Sequence, residues 1–311
     1  MRIVVLRALK LGDFLTAVPA FRALRRAYPR ANITLAAPRA FEPLRELAGG
    51  ALDAIVDAQP LASLAPSLHG ADVGVNLHGK GPQSHRVLLA SAPRELIAFR
   101  NGEIAESSDG PQYDPAEHEV TRWCRLLAHY GITARPHELD LDLPPVAVPR
   151  RIRGATLIHP GAASEARRWP AERWVEVARA ELGAGHNVIV TGGPEEAERA
   201  RYIAAAAGVP STHVYAGRTN LRELAALVAA AGRVVCGDTG VAHLATAYRR
   251  PSVVLFGPIA PSAWGPPPRP FHRALWNGTT GDPHADRVDA GLLAIPVERV
   301  IAALDDLPDA G

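Results

Sequence analysis

Short apolar runs alternate with amphipathic stretches along the chain, and the alternation restarts at mid-sequence. In the first half the apolar runs predict strands at 2–7, 32–36, 53–56, 72–76 and 95–99. Helical spacing between them predicts helices near 14–27, 39–47, 82–90 and 116–129. Strands alternating with helices argue a parallel sheet covered on both faces. The polar segment 101–114 reads as a loop. Segment 132–153, with Pro136, Pro144, Pro145 and Pro149, reads as an interdomain linker. The second half repeats the order, with strands expected at 155–159, 187–191, 213–215, 233–236 and 252–256. Its helices are expected at 171–182, 195–207, 221–231 and 240–248, and a Gly/Pro-rich stretch covers 257–270. The pattern at 295–307 predicts a closing helix. The expected fold class is α/β, with two Rossmann-like domains at 1–150 and 151–311. The last helix, 296–306, is expected to pack back on the first domain.

Composition narrows the function classes. At 311 residues the chain exceeds a comfortable single core. The formal charge of +2 is too small to imply nucleic acid as a partner. Basic residues are nearly all Arg; Lys10 and Lys80 are the only lysines. No apolar run reaches the roughly 18 to 20 residues of a membrane span. The N-terminus runs straight into a strand without signal-peptide features. These features set the expectation of a cytoplasmic protein. The two cysteines, Cys124 and Cys236, lie in apolar, periodic surroundings and are expected to be buried thiols rather than a disulfide or zinc framework.

Candidate chemistry concentrates in two turns where an apolar strand runs into Gly-Asp and a helix. The first is VVLRALKLGDFLTAVPAF, with Gly12-Asp13; the second is VVCGDTGVAHLA, with Gly237-Asp238. Such turns sit at the carboxyl ends of parallel strands, where open α/β sheets keep their ligands. Asp13 reads either as a helix N-cap or as a carboxylate kept ionised by the helix N-terminus and suited to accepting a proton. Asp238 has the same two readings. Thr239 and Gly240 offer a hydroxyl and open N–H groups at a helix start, a site for a phosphate. His243 lies one turn further on, as a structural residue or a donor beside that phosphate.

A third motif is HPGAASEARRWP at 159–170, where Arg167 and Arg168 precede a helix opened by Pro170. It reads as a solvated basic loop or as a diphosphate clamp. The stretch NLHGKGPQSHR at 76–86 is a loop after a strand. His78, Lys80, Gln83 and Ser84, with His85, offer polar contacts to an acceptor if this is more than a surface turn. Lys10 and Gly12 join them from the first Gly-Asp turn. Asp140 and Asp142 form an Asp-x-Asp in ELDLDLPP, where period-two spacing puts both on an exposed face rather than on a metal. No metal-ligand spacing, Walker loop or G-x-S-x-G elbow occurs.

Together these motifs resemble glycosyltransferase family 9, the heptosyltransferase family of two-domain GT-B enzymes. The resemblance rests on GDFLTAVPAFRALRRAYP, NLHGKGPQSHR, HPGAASEARRWP, GDTGVAHLA and LFGPIAPSAWGP, in matching order and spacing. It implies two Rossmann-like domains whose parallel sheets face a central cleft. It also implies an inverting, metal-independent transfer from a nucleotide diphosphate sugar, ADP-heptose in the best-known members, with no further cofactor. By the same resemblance Asp13 is the general base, and Arg167 stands where the family has a basic residue, often Lys, on the donor phosphates. Asp238, Thr239, Gly240 and His243 match the donor-binding turn, and Glu195 or Glu196 the acidic residue on the ribose. Asn76 stands where the family often has Asp, and Ala260 replaces a common Asp. The acceptor would be a glycan or small molecule, without an obligate protein partner and with peripheral association with the inner membrane surface. Two alternatives stay open: a sugar-nucleotide epimerase of the same fold, and a non-catalytic nucleotide-sugar-binding protein.

Overall fold

The computed structural model describes residues 1–308. The chain divides into two compact units, Met1–Asp142 and Leu143–Gly311, so the division falls within the 132–153 linker, before Pro144, rather than at 150. In the first unit, β1 (Arg2–Leu6), β2 (Asn32–Ala37), β3 (Ala54–Asp57), β4 (Val73–Asn76) and β5 (Glu95–Ile97) form one sheet in the order β3-β2-β1-β4-β5. Every pairing is parallel; Ile3 lies between Ile33 and Val73. The central strand is continuously apolar because helices cover both faces of such a sheet.

The second unit holds β6 (Thr156–His159), β7 (Val188–Val190), β8 (Arg233–Gly237), β9 (Ser252–Leu255) and β10 (His272–Leu275), all parallel. Their order is β7-β6-β8-β9-β10. The strand expected at 213–215 is a single bridge, Val190 to Val214, after a short turn at Ser211–His213. β10 escapes the sequence reading because His272 and Arg273 give it a polar start; His272 lies 2.7 Å from the Ser252 hydroxyl. The closing helix, Val297–Asp305, lies against the Ala171–Gly183 helix and β9 of its own unit, with Val300 and Leu304 fully buried. Among the described residues no helix is long and apolar enough to cross a membrane.

Strand order reverses between β1 and β4 in the first sheet and between β6 and β8 in the second. Those are the switch points outside which ligands bind in doubly wound sheets. The loops after β1, β4, β6 and β8 are the ones that carry the candidate residues.

Candidate functional site

The helix expected at 14–27 begins earlier and is broken. It runs Leu11–Thr16, then Val18–Ala27. Pro19, lacking an N–H, cannot donate to Leu15, and the chain restarts at Ala17. Asp13 is therefore not the N-cap but the third residue of a first turn capped by Lys10. Its carboxylate accepts the Lys10 N–H at 3.1 Å. Phe14, packed on Phe21 and Phe41 with ring centroids 5.5 Å apart, anchors the turn to the core. Asp13 and Gly12 are partly buried, and Lys10 is exposed. Burial raises the Asp13 pKa above the ordinary carboxylate value; the Arg7 guanidinium, 3.6 Å away, and the Lys10 N–H oppose that rise.

The loop after β4 separates into outward and inward groups. Lys80 and Gln83 are exposed, and His78 is half-buried. Burial and the Arg7 charge push the His78 pKa down to about 4, so its ring is neutral. Ser84 and His85 do not face outward as expected. Both are buried and bound to Asn76, whose amide donates to the Ser84 hydroxyl at 3.0 Å and reaches His85 Nδ1 at 3.0 Å. His85 Nε2 donates to the Phe99 carbonyl at 2.7 Å, so Nδ1 is the acceptor and the ring is neutral. Gly81 has φ +74°, and a Cβ there would lie 2.4 Å from the His85 ring.

Asn76→Asp would place a carboxylate against His85 Nδ1 and draw a proton onto it. The variant's folded-state histidine pKa then lies above its unfolded value, so that stabilisation holds at low pH and is lost as pH rises. The variant's melting temperature should fall further below wild type between about pH 5 and about pH 8, measured by differential scanning fluorimetry.

At the second switch point Arg167 donates to the Asp238 carboxylate at 2.8 Å and to the Asp238 carbonyl. Burial raises the Asp238 pKa, and Arg167 opposes it. Asp238 is not the cap of the next helix. Thr239 holds that position, and Gly240–Ala247 is the helix. The side chain of His243 is half-buried, its ring centroid 6.0 Å from that of Trp264. Arg168 turns back onto its own loop, donating to Ala162 O at 3.1 Å and Glu165 at 3.2 Å. The two glutamates differ. Glu196 is buried and accepts the Gly193 N–H at 2.7 Å, whereas Glu195 is exposed. Gly161 lets Glu196 lie close, because a Cβ there would fall 1.9 Å from its carboxylate, which would have to move.

The profile of glycosyltransferase family 9 (heptosyltransferase) matches residues 110–289 of this chain. The chain belongs to glycosyltransferase family 9. As a family 9 member it is a glycosyltransferase. It is similar to lipopolysaccharide heptosyltransferase 2 of Escherichia coli strain K12, 26% identical over 300 residues that cover 84% of each protein. Its fold matches that of E. coli ADP-heptose lps heptosyltransferase II with a TM-score of 0.77, at 24% identity and 98% coverage of both chains. The structure of E. coli heptosyltransferase WaaC with ADP-2-deoxy-2-fluoro heptose matches with a TM-score of 0.72, at 18% identity, over 98% of this chain and 99% of that one. Those folds are of the GT-B type, and the two parallel α/β units of this chain follow them.

Two residues of this family 9 protein escape the motif reading. Arg7 and Glu119 meet at 2.8 Å behind Asp13. A lone Arg closing an apolar strand was the available signal for the first. The Asp-x-Asp segment is coil, held to the Val18–Ala27 helix where Arg22 donates to Glu138 O at 2.9 Å and to Asp140 O at 2.6 Å. Among the described residues no three His, Cys, Asp or Glu side chains group as metal ligands. Both cysteines are buried free thiols, and burial pushes Cys124 up to about 12.

Proposed function

We propose that this protein transfers a heptose-like sugar, with inversion, from a nucleotide diphosphate donor such as ADP-heptose to a hydroxyl of a lipopolysaccharide core glycan. The observation that carries the reading is the placement of Asp13: a mostly buried carboxylate of raised pKa, 20% exposed, at the first sheet's switch point. Asp13 takes the proton of the acceptor hydroxyl as that oxygen attacks the anomeric carbon, and the configuration inverts without a covalent enzyme intermediate. A raised pKa makes the carboxylate a stronger base, while the Arg7 charge favours its ionised form. The acceptor is bound by Lys10, Gly12, His78, Lys80 and Gln83.

The leaving diphosphate is met by Arg167 and by the N–H groups at Thr239 and Gly240, where the helix dipole favours negative charge. Asp238 orients Arg167, His243 borders the phosphates, and Arg168 orders the loop. Glu195, exposed and without a structural partner, holds the ribose; Glu196 is occupied by Gly193. The names of the relatives, which pair heptosyl transfer with ADP-heptose and lipopolysaccharide, support the donor and the acceptor. Charge neutralisation by Arg167 and the helix N-terminus stands in for a divalent ion.

Incubation with ADP-heptose and a heptose-deficient lipopolysaccharide should add one heptosyl unit to the acceptor, read by mass spectrometry, at the same rate in EDTA. Loss of activity in EDTA that magnesium restores would return a metal to the mechanism. An isomerised donor formed without acceptor would replace transfer by epimerisation.

A further inference from the structure

Arg7 directly follows β1 and its side chain is fully buried. Nε donates to Asp13 O at 2.5 Å, and a terminal nitrogen donates to Leu77 O, just past β4. The other terminal nitrogen donates to Thr16 Oγ1 at 3.2 Å and to Glu119 Oε1 at 2.8 Å, and stands 3.6 Å from Asp13 Oδ1. The Trp123 ring lies under the guanidinium at 4.8 Å, and its indole N–H donates to Glu119 at 2.7 Å. Arg122 also pairs with Glu119. One buried cation thus ties together the loops after β1 and β4 and the Glu119–His129 helix.

Stability alone does not call for this arrangement. Desolvating a buried ion pair offsets much of its attraction, and apolar residues of similar volume often serve a fold as well. An apolar pair could not fix the Asp13 and Leu77 carbonyls, nor hold a positive charge beside the Asp13 carboxylate. We propose that Arg7 and Glu119 are positioning residues for transfer: Arg7 sets the place and charge state of Asp13, and Glu119 sets how much of the Arg7 charge Asp13 feels. This rests on Asp13 being the general base. The groups facing that carboxylate are Arg7 from just after β1, the Lys10 N–H from its own loop and Glu119 from the helix, with neutral His78 near Arg7 from the loop after β4.

The two charges act on Asp13 with opposite sign, Arg7 lowering and Glu119 raising its pKa. The experiment is a carbon-13 NMR titration of the Asp13 carboxyl in aspartate-labelled protein, the resonance being assigned by its loss in Asp13→Asn. Arg7→Met should move the titration to higher pH, Glu119→Gln to lower pH, and Arg7→Lys should stay near wild type. The acid limb of kcat should move with the NMR values. At neutral pH, kcat of Arg7→Met should fall roughly 10- to 100-fold, with donor KM within about twofold of wild type. If Arg7→Met does not fold, the sign of the near-isosteric Glu119→Gln shift decides. Shifts of the same sign, a titration unmoved in both variants, or a loss confined to donor KM would overturn the proposal. Undiminished transfer by Asp13→Asn would instead remove the general-base reading, while the NMR shifts would still report the charge pair.

Discussion

Asp13→Asn should leave a folded protein that binds the donor and transfers almost no sugar. The amide oxygen of Asn can still accept the Lys10 N–H that Asp13 accepts at 3.1 Å, so the first turn keeps its cap. Phe14 keeps its ring contacts, so the helix stays anchored. On the proposed mechanism what is lost is the proton-accepting group, and general base catalysis is worth about 10² to 10⁴ in rate. The expected result is a fall of that size in kcat, with the affinity for the nucleoside diphosphate unchanged by calorimetry. Wild-type turnover in this variant would show that the acceptor hydroxyl loses its proton elsewhere.

Arg167→Ala should separate affinity from stability. On the proposed reading, removing the guanidinium takes away charge-assisted hydrogen bonds to the diphosphate, each worth about 1.5 to 3 kcal/mol. It also leaves the Asp238 carboxylate, 8% exposed, without its partner at 2.8 Å, so a negative charge faces the phosphate turn. Affinity for ADP and for the donor should fall together, by roughly 30- to 150-fold for about 2 to 3 kcal/mol. The melting temperature should fall as well, because a buried carboxylate is left uncompensated. Arg167→Ala/Asp238→Asn should recover the melting temperature without recovering the affinity. Recovery of both would mean that Arg167 serves the fold alone.

Much of the architecture is legible in the sequence, and the exceptions have physical causes. β1, β2, β4, β6, β8 and β9 are near-continuous apolar runs because they are buried on both faces. β10 lies at a sheet edge and is only partly buried, so nothing in His272-Arg273 marks it as a strand. The stretch at 213–215 is apolar because Val214 packs in the core beside β7, which burial demands without a ladder of hydrogen bonds. The break at Ala17 was readable from Pro19.

The candidate site was legible as motifs but not as partners. Asp13 and Asp238 look alike in sequence, each following Gly in a strand-to-helix turn. One sits inside a first turn and accepts the N–H of its cap Lys10, and the other is clasped by an arginine 71 residues away. Glu195 and Glu196 are neighbours that only backbone geometry separates, through the close approach of Gly161. Ser84 and His85 sit in a polar loop and still turn inward, because Asn76 offers them a donor. Arg7 and Glu119 lie 112 positions apart, a separation that no local pattern bridges.

The place of the closing helix bears on how the polypeptide acquires its shape during translation. All five strands of the first unit precede Asp142, so its core can be completed while the ribosome is still at work on the rest. The other unit lacks Val300 and Leu304 until all five of its strands have been made. Its apolar face therefore waits uncovered through most of its own synthesis. The nascent second unit is most exposed to aggregation in the interval before Val297–Asp305 docks.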